Sequence, residues 1–331
     1  MKKLKEVCIF INHTANSGRE IRLARKPGIC YNRDMEKRVE YTVAASDLPG
    51  RVEDILRKRI GLTPHQIRGA RYRQEGICLN GVRVRTAEKV REGDRLQVLL
   101  EERETGSRDL EAVCGPLEIL YEDEDLAAVN KPSGTAVHPA HGHWKDTLAN
   151  YLRYEYESRQ LQVKIRAIGR LDLETSGIVV FAKNQAAAAR LWQPGRVEKE
   201  YWALAEGHLE KERGRIELPL GKKEGALNQM EARADGLPAV TDYQVLERRD
   251  GADLVSLRLK TGRTHQIRVH MAALGHPLLG DGIYGGDTGK IGRAALHCRR
   301  ARVIQPFTGR SLEIEAPLPE DMKKLLEKEG A

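Results

Sequence analysis

Short apolar runs separated by polar turns mark most of residues 117–328. The run Ile178-Val179-Val180-Phe181-Ala182 is the strongest of them and predicts a buried strand. Other strand-like runs lie at 201–205, 240–246, 254–259 and 311–315, and two more flank the acidic turn at 122–125. Helical patterns are fewer and lie at about 145–158, 184–193, 265–274 and 319–328. This mixture predicts an α+β fold built around a large, mainly antiparallel mixed sheet.

Residues 35–100 show a second and smaller pattern. Alternation begins at Val39 and predicts a strand. One helical face follows, made of Val52, Ile55, Leu56 and Ile60. Thr63-Pro64 then provides an N-cap and a first-turn proline for another helix, and Asn80-Gly81 predicts a tight hairpin. We therefore predict a small α/β domain over residues 35–100, a polar linker over 101–116 and the larger domain over 117–328.

Basic residues are concentrated in the first third of the chain. The chain carries a net charge of +8. Residues 1–34, a poorly patterned N-terminal extension, carry +5; residues 48–100 carry +6, and residues 101–331 carry −2. We expect the extension to be either an appendage or a stretch upstream of the natural start. The segregated positive charge predicts a polyanionic partner.

Cofactor and metal motifs are not convincing in this sequence. The stretch GDGIYG at 280–285 has the glycine spacing of a dinucleotide site but lacks the strand and helix around it, so we interpret it as turns. His138, His141 and His143 share a Pro/Gly loop without helical spacing, and we predict no metal site there. Five scattered cysteines and the lack of a long apolar window predict a cytoplasmic protein without a membrane span.

Four segments carry the candidate chemistry. They are NKPSGTAVHP at 130–139, AIGRLDLETSGIVVFAKN at 167–184, VEKEYWALAEG at 197–207 and LKTGRTHQIRVHMAALGHPLLGDGIYG at 259–285. In this order they resemble the RluA-type RNA pseudouridine synthase family, over residues 117–320. The sequence departs from the family at Gly169, where a histidine usually precedes Arg-Leu-Asp. We expect this change to affect RNA contact or loop stiffness and not catalysis.

The resemblance implies that the protein isomerises uridine to pseudouridine. That reaction breaks the N-glycosidic bond, turns the uracil and rejoins it to ribose through carbon, so no cofactor is expected. The resemblance implies that Asp172 is the catalytic carboxylate, acting as nucleophile or base. A carboxylate beside an apolar strand loses hydration, and the resemblance implies that the guanidinium of Arg268 holds Asp172 in a fork.

Other residues of the four segments receive roles from the same resemblance. Tyr201 would stack on the uracil, with a position in the core as the alternative, and Trp202 is expected on the opposite face of its strand. Ile267 would line the uracil pocket, and Arg170 would fill the space left by the flipped uridine. Six residues are expected to frame the site without catalysing: Lys131, Pro132, His138, Thr175, Ser176 and Gly177. We expect the last three of these to form the turn before the buried strand.

The small domain resembles the αL RNA-binding motif, which is found in a small-subunit ribosomal protein and often precedes this catalytic domain. Five arginines would then face RNA phosphates: Arg57, Arg59, Arg68, Arg71 and Arg73. Such contacts position RNA without reading its sequence.

We therefore expect structured RNA as the partner, ribosomal RNA first, with transfer RNA left open. We expect a monomer without an obligate protein partner. One alternative is a non-catalytic RNA-binding or ribosome-assembly factor on the same fold. Another is a hydrolase of the uracil glycosidic bond, which would release free base where an isomerase retains it.

Overall fold

The computed structural model describes residues 36–101, 110–140, 142–161, 163–226 and 229–327. The predicted N-terminal extension, most of the predicted linker and His141 lie outside these ranges, and the predicted domain boundaries stay a prediction. No helix within the described ranges is long and apolar enough to cross a membrane.

One hydrophobic core lies in the first third of the chain. Its elements are β1 (Glu36–Thr42), α1 (Val52–Asp54), α2 (Pro64–Arg71), β2 (Ile77–Leu79), β3 (Val82–Arg83) and β4 (Arg95–Glu101). The strands form an antiparallel sheet in the order β1-β4-β2-β3. A π-helical turn, Ile55–Arg59, continues α1. The predicted apolar face is confirmed, because all four of its residues are buried. This core also includes Ala186 from the later part of the chain.

Two local signals in this part of the chain are confirmed by hydrogen bonds and dihedral angles. Thr63 begins α2 with a capping box: its hydroxyl accepts from the Gln66 amide at 3.3 Å, and the Gln66 side chain accepts from the Thr63 amide at 2.8 Å. Asn80 and Gly81 both have positive φ, 54° and 81°, between β2 and β3. A two-residue hairpin with this backbone suits the natural twist of its strands.

The part of the chain from Glu118 onward is built around a mixed sheet of ten strands. Its strands, with one further two-stranded ribbon (β11 and β12), are β5 (Glu118–Glu122), β6 (Leu126–Lys131), β7 (Arg166–Ile168), β8 (Ser176–Ala182), β9 (Val197–Glu206), β10 (Arg213–Glu217), β11 (Leu220–Lys222), β12 (Met230–Ala232), β13 (Val240–Arg249), β14 (Ala252–Leu259), β15 (Leu296–Ile304) and β16 (Ser311–Glu315). Its helices are α3 (Leu148–Ser158), α4 (Gln185–Leu191), α5 (Gln266–Ala273) and α6 (Glu320–Glu327). The main path runs β10-β13-β14-β9-β15-β8-β6-β5, and β8 and β15 are its parallel pair. The predicted α+β class with a mainly antiparallel mixed sheet is confirmed.

Both faces of this sheet are covered in its middle. Along β9, Tyr201, Ala203 and Ala205 belong to the main core, whereas Leu204 packs in a second cluster with Met322 of α6. This alternation follows from the two-residue period of a strand. Helices α3 and α4 contribute to the main core on the first face. The strands at the centre are therefore rigid supports for the loops that leave them.

Strand β15 was not predicted, although it lies at the centre of the sheet. Its segment contains Arg299, Arg300 and Arg302, which hide the apolar alternation. Arg300 reaches Glu315 of β16 at 2.9 Å, and Arg302 reaches Glu198 of β9 at 3.1 Å. These ion pairs join neighbouring strands, so the charges are accommodated by tertiary pairing that a single segment does not reveal.

Strand β8 divides one of its edges between two neighbours. Its end, Val180 to Ala182, pairs with β7, and its start pairs with β15 through Ser176–His297 and Gly177–Cys298. Gly177 has a φ of +106°, and a Cβ built there would lie 2.3 Å from the backbone oxygen of Cys298. Only glycine allows the two backbones to approach this closely.

We expect Gly177→Ala to lower the free energy of unfolding by about 1–3 kcal/mol more than Gly169→Ala does. Gly169 is the matched control because its φ is also positive, +76°, while a Cβ there meets only the Lys199 amine at 4.0 Å. The difference between the two variants therefore reports the clash with β15. Urea denaturation followed by circular dichroism measures it, and equal losses would contradict the close approach.

Candidate active site

The candidate site lies in the loop that joins β7 to β8. Residues 169–175 leave the sheet after Ile168, the last residue of β7 paired with β8, and return at Ser176, which pairs with β15. The loop therefore projects from the place where two strands share one edge. The amide of Thr175 donates to the carbonyl of Asp172 at 3.1 Å, so the turn spans residues 172–175.

This turn corrects one prediction. We expected Thr175, Ser176 and Gly177 to form the turn before the buried strand, but Ser176 and Gly177 are already paired within β8. The Ser176 hydroxyl is also buried, 2.9 Å from Nδ1 of His297. The apolar run predicted a strand that begins at Ile178, two residues too late. Serine and glycine are not apolar, so the pattern gives no sign that Ser176 and Gly177 are buried in the strand.

Lys131 and its neighbours fix the C-terminal half of the loop. The buried ammonium of Lys131 donates to three carbonyls, those of Pro132 at 3.0 Å, Thr135 at 2.8 Å and Leu173 at 3.0 Å. These three bonds match its three donors. Burial lowers the pKa of Lys131 to about 7, and the negative charge of Asp172 opposes that shift. The peptide that follows Asp172 is therefore held in place.

Two further contacts from the same segment join this loop. The Ser133 hydroxyl donates to the Glu174 carbonyl at 2.8 Å, and the Gly134 amide donates to the Leu173 carbonyl at 2.9 Å. At the other end, Nε2 of His138 accepts from the Ala167 amide at 3.3 Å. Burial lowers the pKa of His138, which agrees with a neutral ring that accepts here. Residues 131–138 therefore contact both ends of the loop.

The entry to α5 forms the other wall. Nη2 of Arg170 donates to the Thr264 hydroxyl, and Glu174 lies 3.0 Å from Nη2 of Arg268. Arg170 and Glu174 flank Asp172 at two residues on either side, so along the chain Asp172 lies between two contacts to the segment 264–268. Ile267, the predicted pocket residue, is buried in the main core at this point.

The predicted fork between Arg268 and Asp172 is wrong. Nε and Nη2 of Arg268 donate instead to the two carboxylate oxygens of Asp281, at 2.7 and 2.6 Å. Arg268 and Asp281 are both buried, and a bidentate pair is the arrangement that best offsets the loss of water around two charges. Asp172 raises the pKa of Arg268 only as a more distant charge.

Asp172 itself is half-buried, and its side chain makes no hydrogen bond or ion pair with any residue in the described ranges. Its charge nevertheless acts on the pKa of five side chains around it. It adds to the raised pKa of Tyr201, Arg268 and Tyr284, and it opposes the larger lowering by burial in Lys131 and His265. A carboxylate that is held by its backbone, open to solvent and surrounded by these groups can act as a nucleophile or a base.

Tyr201 lies on β9, next to this carboxylate. Its neighbours across the sheet are Leu257 and Cys298, and 7% of its surface is exposed. Burial, with added contributions from Cys298 and Asp172, raises the pKa of its phenol well above the usual value. Trp202 packs in the cluster on the opposite face, as predicted. Tyr201 is therefore part of the main core, and its stacking on uracil stays a prediction.

Sequence reasoning missed several residues of this site. Lys199 precedes Tyr201 by two residues and shares its face, and burial lowers its pKa. Its amine is the atom nearest to a Cβ built at Gly169, so a side chain at Gly169 would point toward it. Gly169 has a positive φ of 76°, a backbone that glycine adopts at least cost.

Asp281 belongs to the glycine-rich stretch that we interpreted as turns. That interpretation is confirmed, because residues 280–285 lie in turns between a bridge at Leu278 and β15, without a helix after them. The stretch nevertheless contributes two residues to the site. Asp281 pairs with Arg268, and the phenol oxygen of Tyr284 lies 2.8 Å from Nδ1 of His265. Their spacing from Arg268 in the sequence gave no sign of contact.

The predicted RNA-facing arginines lie on the π-helical turn, on α2 and just after α2. Arg59 is held by Asp47, and Nε of Arg57 lies 3.6 Å from Glu53. Arg68 and Arg71 are exposed on α2, and Arg73 follows after Tyr72, which is 85% exposed. In the histidine loop for which no metal site is predicted, Nδ1 of His143 lies 2.6 Å from the Asp146 carboxylate, and His141 lies outside the described residues.

The fold is that of the pseudouridine synthases. The structure of human RNA pseudouridylate synthase domain containing 1 superposes with a TM-score of 0.51 and 33% identity, covering 61% of this chain and 83% of that one. Human RNA pseudouridylate synthase domain containing 4 gives 0.52 and 25%, covering 63% and 91%.

Sequence comparison is consistent with this fold. Residues 125–273 match the RNA pseudouridylate synthase family model. The uncharacterized RNA pseudouridine synthase YhcT of Bacillus subtilis (strain 168) is 41% identical over 241 residues, covering 71% of this chain and 79% of that protein. Ribosomal large subunit pseudouridine synthase D of Nitrosomonas europaea is 36% identical over 267 residues, covering 77% of each. The chain belongs to the RNA pseudouridine synthase family, whose members isomerise uridine to pseudouridine, and the RluA-type resemblance is confirmed.

Proposed function

We propose that this protein converts specific uridines of structured ribosomal RNA to pseudouridine, with Asp172 as the nucleophile or base and without a cofactor. The observation that carries the proposal is the Asp172 carboxylate. It is half-buried, free of side-chain partners among the described residues and fixed by its backbone between residues 131–138 and α5. Relatives named as large-subunit ribosomal synthases support ribosomal RNA as the substrate class.

The neighbours of Asp172 have distinct tasks in this proposal. Arg170 is exposed beside Thr264 and fills the space of the flipped uridine. Tyr201 and Ile267 form the apolar floor on which the uracil lies. Arg268, locked by Asp281, supplies positive charge near Asp172 without binding it. Extraction of the base from its stack costs a few kcal/mol, which contacts in this pocket offset.

The small domain docks the RNA in this proposal. Its two short helices, hairpin and basic surface support an αL-type module, in which Arg57, Arg59, Arg68, Arg71 and Arg73 contact phosphates. The protein acts as a cytoplasmic monomer, and transfer RNA stays open as a second substrate.

The direct test is to incubate the protein with ribosomal RNA from a strain that lacks its gene. Pseudouridines are then mapped by carbodiimide modification and primer extension. We expect one or a few new stops at uridines. RNA binding without new stops would favour the non-catalytic assembly factor, and release of free uracil would favour the glycosidic hydrolase.

A second test addresses docking. Arg68 and Arg71 are exposed, and their side chains form no ion pair with residues that the structure describes. We expect Arg68→Ala combined with Arg71→Ala to flatten the slope of log K against log salt by about 0.7–0.9 for each phosphate that is no longer neutralised. Arg215→Ala, which removes an arginine of β10 that is paired with Asp242 of β13, is the matched control. A slope equal to that of the control would count against the small domain as the docking element.

A further inference from the structure

His265 has an unusual backbone at the edge of the site. Its φ is +55°, in the left-handed region, which costs about 1 kcal/mol or more for a residue with a Cβ. It stands at the N-cap position of α5, yet its side chain makes no capping hydrogen bond. Capping therefore does not explain a histidine here. The strained backbone instead directs the ring toward Tyr284, next to the Thr264 hydroxyl that receives Arg170.

The hydrogen bonds of Tyr284 favour one position of the ring proton of His265. The phenol oxygen accepts from the Met230 amide at 3.0 Å and lies 2.8 Å from Nδ1 of His265. A phenol has one proton, and Nδ1 is the acceptor available to it in this arrangement. When the phenol donates this proton to Nδ1, the ring proton of a neutral His265 is on Nε2.

Both rings are held in this orientation. The guanidinium of Arg268 lies 5.2 Å from the centre of the Tyr284 ring, and the His265 and Tyr284 rings meet edge to face at 5.7 Å. Arg268 is itself locked by Asp281. The position of Nε2 therefore depends on the contact of His265 with Tyr284, on the contact of Tyr284 with Arg268, and on the buried ion pair of Arg268 with Asp281.

Nε2 of His265 is available to a ligand beside Asp172. It has no hydrogen-bond partner among the described residues, and the residue is partly exposed. Burial lowers the pKa of His265 while the charge of Asp172 opposes the shift, so the ring is neutral at pH 7. A neutral ring donates one hydrogen bond without forming an ion pair with the carboxylate.

A donor of this kind suits the geometry of the reaction. A half-turn of uracil about the axis through N3 and C6 exchanges N1 with C5, and it also exchanges the two carbonyl oxygens. A fixed donor that meets one carbonyl before the turn therefore meets the other carbonyl afterwards. A neutral N–H at this place holds the base in the substrate and the product orientation alike.

We propose that His265 is a substrate-binding residue, whose Nε2–H donates to a carbonyl oxygen of the flipped uracil before and after its turn. This inference rests on the proposed function. The class of ligand is the imide edge of uracil, which cytosine lacks because it has an amino group in place of one carbonyl. His265 thereby contributes to the choice of base, in addition to the chemistry of Asp172.

The test uses His265→Asn in the full-length protein. Asparagine tolerates the left-handed backbone, and its shorter side chain withdraws the donor. We expect kcat/KM for pseudouridine formation to fall about 10- to 100-fold. The Kd for RNA should change by less than about 2-fold, because phosphate contacts dominate affinity. His276→Asn, which removes a half-buried histidine bonded to the Glu206 carbonyl, is the control and should keep the wild-type rate.

A sulfur substitution in the RNA separates binding of the base from a structural role. An RNA whose target uridine carries a thiocarbonyl, a weaker acceptor, should react about 10-fold more slowly with the wild-type protein. With His265→Asn the thio-substituted and normal RNAs should react at similar rates, because the hydrogen bond is already absent. An equal thio effect in both proteins would overturn the proposal.

Tyr284→Phe provides a second route if His265→Asn does not fold. It keeps the ring under Arg268 and removes the phenol that sets the tautomer. ¹⁵N spectra should place the ring proton of His265 on Nε2 in the wild type. In this variant they should show a mixture of the two neutral tautomers, and kcat/KM should be lower. A proton on Nδ1 in the wild type, or an unchanged kcat/KM in both variants, would overturn the inference. If the wild-type protein forms no pseudouridine, the proposed function fails as well.

Discussion

Asp172→Asn should reduce pseudouridine formation by about 10⁴-fold or more, the scale seen when a residue at the reacting centre is removed. The amide has nearly the shape of the carboxylate but is neither a nucleophile nor a base. The backbone of the loop should be unaffected, since its bonds from Lys131, Ser133 and Gly134 go to the carbonyls of Leu173 and Glu174. Single-turnover measurement of pseudouridine in a target RNA checks the rate, and filter binding should give an RNA affinity within about 2-fold of the wild type.

Glu174→Gln is the matched control for this experiment. It replaces a carboxylate of the same loop, two residues away, and weakens one contact of Arg268 while the fork on Asp281 stays. We expect the rate to fall by less than about 10-fold, which corresponds to the removal of one partly exposed ion pair. A variant of Asp172 that keeps a tenth of the wild-type rate would remove Asp172 from the chemistry.

Arg268→Met should lower the free energy of unfolding by about 3–5 kcal/mol. The reason is Asp281, whose side chain is fully buried and would lose both of its charged hydrogen bonds. An uncompensated carboxylate in the interior is costly, whereas methionine replaces only the volume of the arginine stem. Urea denaturation of the two proteins under the same conditions measures the difference.

A double-mutant cycle identifies the cause of that destabilisation. Arg268→Met combined with Asp281→Asn removes the charge on both sides, so the pair should lose less stability than the sum of the two single variants. Arg170→Met is the control, because Arg170 is exposed and donates only to Thr264; its effect should stay within about 0.5 kcal/mol. A destabilisation below about 1 kcal/mol for Arg268→Met would show that Asp281 has another way to be stabilised.

Local patterns in the sequence predicted many of the elements in the structure. Two of these elements depend on contacts within four residues of the chain. The Thr63–Gln66 capping box and the Asn80-Gly81 turn therefore follow from local sterics and hydrogen bonding. The apolar run that became β8 is buried on both faces, which a continuous hydrophobic stretch predicts well. Strand β15 was missed because its arginines are neutralised by glutamates on two other strands.

In the candidate site, too, some features could be predicted from short segments and others depend on contacts between distant residues. The four sequence segments predicted the family to which the chain belongs, because each is a short stretch whose residues can be compared directly. The roles that the resemblance implies for Asp172, Arg170 and Tyr201 stay predictions. The partner of Arg268 could not be read this way. Asp281 and Asp172 both carry a carboxylate that could accept hydrogen bonds from the Arg268 guanidinium. Only the folded structure shows that Asp281 accepts them. The tautomer of His265 likewise depends on Tyr284 and Met230, which lie far from each other in sequence. Hydrogen bonds and ion pairs of this kind depend on distance and direction in space, and those are set by the packing of the whole sheet.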